Sequence, residues 1–135
     1  MALKPETAEH LARAERNRAI ARALCDPQQC SSVQPPPWEW AAVAGFYAAL
    51  HYVHALLWEL HGLTPHDHPA RRGYVARTAP LNRVLGAYDT LYDLGWQARY
   101  RRTFRPKPQE VLTAVHQQLD TIRSLVYRVL SVEAP

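Results

Sequence analysis

Apolar residues recur at helical spacing in four segments of the chain, and no segment alternates apolar and polar residues as a β-strand does. The predicted helices cover residues 7–24, 38 (or 40)–61, 81–101 and 109–130. The second helix is apolar on nearly all sides and stops at Gly62, as expected of a helix at the centre of a bundle. The pattern predicts an all-α fold, an up-and-down antiparallel bundle of four to five helices.

Large apolar side chains at helical spacing define the expected core, with helix two the most buried element. We expect one core that contains Phe46, Leu50, Leu57, Leu85, Tyr88, Leu119 and Ile122. In helix one, four alanines share a face and predict a close but small contact with the bundle: Ala8, Ala12, Ala19 and Ala23.

Two proline-containing segments separate the predicted helices. Residues 26–37 end in three consecutive prolines, which favour an extended connector. Residues 63–80 form a long irregular connection, with a short helical turn expected around 70–76. Because 135 residues match the usual size of one domain, we predict a single domain over 1–135.

The composition of the chain indicates where the protein is expected to reside in the cell. The chain is 47% hydrophobic and 21% charged, which is typical of a globular protein. The longest apolar stretch, residues 41–60, is interrupted by His51, His54 and Glu59, and the first six residues contain no apolar signal region. We therefore expect a soluble, cytoplasmic protein with no membrane partner.

Positive charge is concentrated in about a quarter of the chain. The formal net charge is +4, and residues 71–107 carry nine basic and two acidic side chains, or +7, so the rest carries −3. Such a distribution favours an anionic partner, whether RNA, DNA, a nucleotide or an acidic protein. The alternative is an ordinary solvated basic surface.

Cysteine and histidine spacing gives little support for a metal centre. Cys25 and Cys30 are predicted to be free thiols, since two cysteines cannot complete a zinc site. His51 and His54 lie three residues apart on helix two, and further histidines follow in the next loop, but no third ligand has a diagnostic spacing. We expect histidines that border the core and hydrogen-bond to neighbouring helices, with no metal and no cofactor.

Two clusters have side chains suited to nucleic-acid chemistry. His68 precedes Arg71 and Arg72 in the long connection, where an imidazole can transfer protons and guanidinium groups can hold a phosphate. In residues 96–105, aromatic side chains alternate with arginines, as in surfaces that stack bases and bind a phosphate backbone. The alternatives are a solvated loop in the first case and, in the second, arginines that meet the helix dipole.

The order of these features is similar to a known family. An apolar helix with GFYAALHYVHALL (45–57) precedes the loop HPARR (68–72), then a helix with YDTLY (88–92) that ends in QARY (97–100), then a last amphipathic helix. Over residues 38–130 the chain resembles the HEPN superfamily (higher eukaryotes and prokaryotes nucleotide-binding domains), in particular its small stand-alone bacterial members. The resemblance implies a four- or five-helix bundle and a homodimer.

The same resemblance implies a function and raises one difficulty. Many HEPN members are metal-independent ribonucleases of toxin–antitoxin or other defence systems, and others only bind nucleotides or act as partners. Catalytic members carry an arginine, then four to six intervening residues, then a histidine, near the start of the last helix. Here the arginine that precedes His116, Arg105, lies eleven residues before it, and no arginine–histidine pair in the sequence has the required spacing. By position, a site would instead use His51 and Tyr47, His68 with the two arginines of the loop, and Arg99 with Tyr100.

Three functions remain open from the sequence. The first is an RNA- or nucleotide-binding module that uses Arg71, Arg72, Arg99, Arg101 and Arg102 with Tyr47 and Tyr100. The second is a ribonuclease with His68 or His51 as the acid–base group. The third is a protein-interaction module whose basic face binds an acidic protein partner. The missing arginine-to-histidine spacing, and the absence of a glycine-rich phosphate loop, GxSxG or HExxH motif, favour a non-catalytic role.

Overall fold

The structure is a computed structural model that describes residues 2–135. Its α-helices are α1 (Pro5–Leu24), α2 (Trp38–His61), α3 (His68–Arg77), α4 (Leu85–Tyr100), α5 (Pro108–Thr113) and α6 (Leu119–Leu130). A 3₁₀ turn at Leu81–Val84 leads into α4, and a π-helical segment at Ala114–Gln118 makes α5 and α6 continuous. Residues 2–135 contain no strand, so the predicted all-α fold is confirmed.

Helix α2 is the central element of the bundle. It packs along α1 and also contacts α4, α5 and α6. It is long and apolar enough to cross a membrane, but 72% of its most apolar 18-residue stretch is buried within the protein. That burial is typical of the core helix of a soluble protein. The helix ends as predicted at Gly62, whose φ of 62° is readily adopted by glycine.

Helix α3 is longer than the short turn that the sequence predicted. It starts directly after Asp67, whose Oδ1 accepts a hydrogen bond from the backbone N–H of Ala70 at 2.8 Å. Pro69 occupies the first turn, where no backbone donor is needed. A side-chain cap and a proline therefore start a full helix inside a segment rich in helix-breaking residues.

Five of the seven predicted core residues are almost fully buried: Phe46, Leu57, Tyr88, Leu119 and Ile122. The prediction was wrong for Leu50 and Leu85, which are half-buried and only border the core. Leu85 begins α4, where the preceding chain covers it incompletely, and Leu50 faces a cleft described below.

The alanine face predicted for α1 is also wrong. Ala8, Ala12 and Ala19 are exposed and Ala23 is half-buried. The buried side chains of the helix are instead Thr7, Leu11, Ala14 and Ala21. Alanines lie on every side of this helix, so their spacing alone could not define the packed face.

Glu15 joins three helices at the edge of the core. Its carboxylate accepts hydrogen bonds from the Tyr52 hydroxyl on α2 and, on α6, from Arg123 Nε at 2.8 Å and the Tyr127 hydroxyl at 3.1 Å. Burial acts to raise the pKa of Glu15, but these donors outweigh it and leave the pKa below its usual value. The ionised carboxylate therefore fixes the rotation of α1 against α2 and α6.

Candidate functional site

A cleft of about 650 Å³ opens between α2, α4 and the start of α3. Two arginines, two histidines and one carboxylate line it, together with a wall of aromatic and aliphatic side chains: Arg71, Arg99, His66, His68, Asp67, Phe46, Tyr47, Leu50, Tyr92, Trp96 and Tyr100. Asp67 is exposed and caps α3, as described above. Arg71 and Arg99 therefore bring two positive charges to the cleft, and Asp67 brings one negative charge.

The close approach of α2 and α4 at one side of the cleft depends on Gly95. A Cβ atom at that position would lie 2.8 Å from Cβ of Phe46, which is shorter than carbon contacts allow. Because glycine has no side chain, the two helices come close enough for Tyr47 on α2 to reach Arg99 on α4.

Arg99 is held by aromatic and backbone groups. Its Nη1 donates to the Tyr47 hydroxyl at 3.0 Å, and its Nε donates to the carbonyl of Gly95 at 3.1 Å. The guanidinium carbon lies 5.2 Å from the ring centre of Phe46 and 5.0 Å from that of Tyr100. No carboxylate of residues 2–135 lies within 4.0 Å of it. Its charge is thus oriented and not neutralised.

Arg71 is the second cation of the cleft, and it is only 8% exposed. Its Nε donates to Nε2 of His54 at 2.8 Å. Within residues 2–135 it too has no carboxylate partner inside 4.0 Å. Burying a charge without a counter-charge is costly, so an arginine in this position is a strong local attractor for an anion.

His68 lies against the aromatic wall. Its ring stacks on Tyr92 with ring centres 3.3 Å apart and an interplanar angle of 4°. Its Nδ1 lies 3.4 Å from the Tyr88 hydroxyl. Burial lowers the pKa of His68, and the nearby Arg71 lowers it further, so the ring is neutral at physiological pH. A neutral imidazole beside an arginine can accept a hydrogen bond or a proton.

Four of the predicted site residues lie outside the cleft. Arg72 forms a two-point ion pair with Asp89, at 2.9 and 2.8 Å, on the exposed side of α3. Arg101 donates to Gln97 at 3.1 Å, and Arg102 is exposed. His51 belongs to a different cluster. The cleft does bring together Tyr47, His68, Arg71, Arg99 and Tyr100.

The second cluster consists of three histidines between α1 and α2. Nδ1 of His10 lies 3.1 Å from Nδ1 of His51, and the ring centres of His10 and His54 are 5.3 Å apart. Burial, followed by neighbouring positive groups, lowers the pKa of His51 to about 4 and that of His54 to about 3. Within residues 2–135, no group of three or more His, Cys, Asp or Glu side chains is arranged to hold a metal ion.

Sequence reasoning missed several cleft residues and the role of His54. Tyr92, Trp96 and Arg99 follow one another at spacings of four and three, so one helix face should have suggested a shared site. Trp96, which belongs to the predicted aromatic and arginine segment 96–105, does line the cleft and is 41% exposed. The contact between His54 and Arg71 had no sequence signal, because the two residues belong to different helices.

Comparison with known proteins adds no family to this geometry. No protein-family model matches the sequence, and no significant match is found among curated proteins or solved structures. The resemblance to HEPN domains therefore stays a prediction, and any function must be argued from the cleft itself.

Proposed function

We propose that this protein is a HEPN-like module that binds RNA or a nucleotide in the cleft between α2, α3 and α4. The observation that carries the proposal is the pairing of Arg71 and Arg99 in one cleft, both without a carboxylate partner in the described chain. Arg72 and Arg123, by contrast, are paired with the carboxylates of Asp89 and Glu15.

The aromatic walls of the cleft suit the bases of such a ligand, as the arginines suit its phosphates. Guanidinium groups bind phosphate through parallel hydrogen bonds, and aromatic faces stack on bases. Trp96 and Tyr100 lie next to each other, with ring centres 5.5 Å apart, and are 41% and 63% exposed. Exposed aromatic rings beside an unpaired arginine are the combination that single-stranded nucleic-acid sites use.

A non-catalytic role follows from the placement of the histidines. The ribonuclease spacing of HEPN domains is missing, and His51 lies in the cluster with His10 and not in the cleft. Of the two acid–base candidates, only His68 lies beside the arginines. The proposal therefore describes a binding module, cytoplasmic and belonging to a toxin–antitoxin or other defence system as the resemblance implies.

One observation favours a second candidate, a metal-independent ribonuclease. His66 and His68 both line the cleft with Arg71, so the cleft holds two imidazoles, the group most often used for acid–base catalysis. Cleavage of RNA by such a pair would need no metal ion. This candidate differs from the binding module by a single measurable property, RNA cleavage in EDTA.

A binding assay with paired variants tests the proposal. A fluorescein-labelled single-stranded RNA of about ten nucleotides and a panel of nucleotides are titrated at low salt with wild type, Arg99→Gln and Arg102→Gln. Each variant removes one positive charge, but only Arg99 lies in the cleft. We expect Arg99→Gln to weaken binding about tenfold, as for a lost charge-assisted hydrogen bond, and Arg102→Gln to change it less than about threefold.

The same samples separate the alternatives. Equal losses of affinity in both variants would mean that binding depends on the overall charge of the protein and not on the cleft. RNA cleavage that persists in EDTA and disappears in His68→Ala would establish the ribonuclease. No binding of RNA or nucleotide at low salt would leave the third function, a protein-interaction module for an acidic partner.

The proposed homodimer has its own measurement. The dimer rests on the resemblance, and Trp40 on α2, which is 61% exposed, is a large aromatic side chain that a second copy of the chain could cover. We expect light scattering at tens of micromolar protein to give twice the chain mass of 15.4 kDa. A single species at the chain mass would contradict the dimer without affecting the cleft.

A further inference from the structure

The contact between His54 and Arg71 differs from every ion pair in the described chain. His54 is 7% exposed and Arg71 is 8% exposed, and the guanidinium Nε donates to the imidazole Nε2 at 2.8 Å. For Nε2 to accept this hydrogen bond it must carry no proton, so the ring is neutral with its proton on Nδ1. The acceptor of the buried arginine is therefore an uncharged group.

The surroundings of His54 keep it neutral. Arg71 on α3 contacts it directly, and His10 on α1 and His51 on α2 lie beside it. On α1, Arg13 acts to lower the pKa of both His10 and His51, and Glu9 acts to raise that of His10. Tyr88 on α4 adjoins Arg71. Burial together with these positive neighbours lowers the pKa of His54 to about 3.

Other partly buried arginines are fixed in a different way. Arg123 and Arg18 each donate through Nε to a carboxylate, that of Glu15 at 2.8 Å and that of Asp120 at 3.1 Å. A carboxylate orients the guanidinium and cancels its charge at the same time. An imidazole orients it and leaves the charge in place.

We infer that His54 is a positioning residue, which fixes the Arg71 guanidinium at the cleft while leaving its whole positive charge available to an anionic ligand. This inference rests on the proposed function of the cleft. His54 itself does not line the cleft, so it acts only through Arg71. Binding of an anion by Arg71 therefore requires a neutral hydrogen-bond acceptor at position 54, and the exact shape of that acceptor matters less than its lack of charge.

Two variants of almost identical shape isolate that requirement. In His54→Gln a neutral amide oxygen can accept from Arg71, whereas in His54→Glu a carboxylate accepts and cancels the charge. A purely structural role predicts that both variants bind alike, because both keep an acceptor. The probes are a fluorescein-labelled single-stranded RNA of about ten nucleotides and inorganic phosphate, and thermal unfolding checks that each variant is folded.

We expect His54→Gln to bind RNA within about threefold of wild type and His54→Glu to bind at least about tenfold more weakly while remaining folded. A folded His54→Glu protein that binds like the Gln variant would overturn the inference and leave the proposed function intact. Wild type that binds neither probe would remove both.

A measurement on the wild-type protein decides the matter if the Glu variant does not fold. Long-range ¹H–¹⁵N spectra report which imidazole nitrogen is protonated. We expect His54 to show a bare Nε2 and no titration between about pH 5.5 and pH 8. A proton on Nε2, or a titration midpoint inside that range, would overturn the inference.

Discussion

Gly95 controls the geometry of the cleft at the scale of a single residue. The space that its absent side chain leaves is filled by Phe46, whose ring also supports the Arg99 guanidinium. Gly86 lies in the same helix but has nothing within 4 Å of where its Cβ would be. The two glycines therefore form a matched pair for testing this contact.

We predict that Gly95→Ala destabilises the protein by about 1–3 kcal/mol, because the new methyl group overpacks against Phe46. It should also weaken RNA binding, since α2 and α4 must separate and Tyr47 then loses Arg99. Gly86→Ala should be neutral or stabilising by up to about 1 kcal/mol, as expected for alanine in a helix. Urea unfolding measures both, and equal effects of the two substitutions would contradict this account.

The arginines show what the sequence could and could not reveal about individual residues. Arg71 and Arg72 are adjacent and look equivalent in the sequence, but α3 directs one into the core beside His54 and the other toward Asp89. Neighbouring residues in a helix point about 100° apart, so which of the two arginines is buried depends on which face of α3 packs against the bundle. That face could not be assigned before α3 itself was known to be a helix.

Among the elements, α1 is joined to both α2 and α6 through the Glu15 carboxylate. Its apolar face is small, and Glu15 links it to Tyr52 and to Arg123 and Tyr127. We predict that Glu15→Gln destabilises the protein by about 1–3 kcal/mol, because Arg123 loses its counter-charge while remaining largely covered. Urea unfolding gives the change in the free energy of unfolding.

Glu9 provides the control within the same helix. It pairs with Arg13 at 3.3 Å, but both side chains are more than half exposed. Glu9→Gln should therefore change the stability by less than about 0.5 kcal/mol. Equal losses for Glu9→Gln and Glu15→Gln would show that α1 responds to net charge and not to the Glu15 contact.

Element prediction from sequence was most successful where apolar spacing was strongest. The bounds of α2 and the C-terminal ends of α1 and α6 agree with the prediction. The 3₁₀ turn before α4, the π segment within the last helix and the full length of α3 were missed. These features depend on local hydrogen bonds, such as the one by which Asp67 caps α3. The spacing of apolar residues does not report such hydrogen bonds.

At the scale of the whole molecule, buried histidines make stability depend on pH. In the unfolded chain His51 and His54 take up protons as the pH falls through about 6.5. In the folded protein their pKa values are lowered to about 4 and about 3. The unfolded state therefore binds more protons between these values, so the stabilisation present above about pH 6.5 is lost progressively toward pH 4.

We predict a loss on the order of 3–4 kcal/mol between about pH 7 and pH 5, about 2 kcal/mol from each histidine, in a range where most carboxylates stay ionised. His51→Gln should reduce this loss, since one neutral, half-buried imidazole is replaced by an amide that does not titrate. His66→Gln, at an exposed position, should leave it unchanged. Urea midpoints at each pH measure the effect, and a pH dependence identical in all three proteins would refute the assignment.

The central claim is that an anionic ligand binds between Arg71 and Arg99. The most direct measurement is a series of ¹H–¹⁵N spectra of the arginine Nε–H groups, recorded while single-stranded RNA of about ten nucleotides is added. The account predicts that the signals of Arg71 and Arg99 shift first and furthest, while those of Arg101 and Arg102 move little. Shifts confined to Arg101 and Arg102, with Arg71 and Arg99 unchanged at saturation, would contradict it.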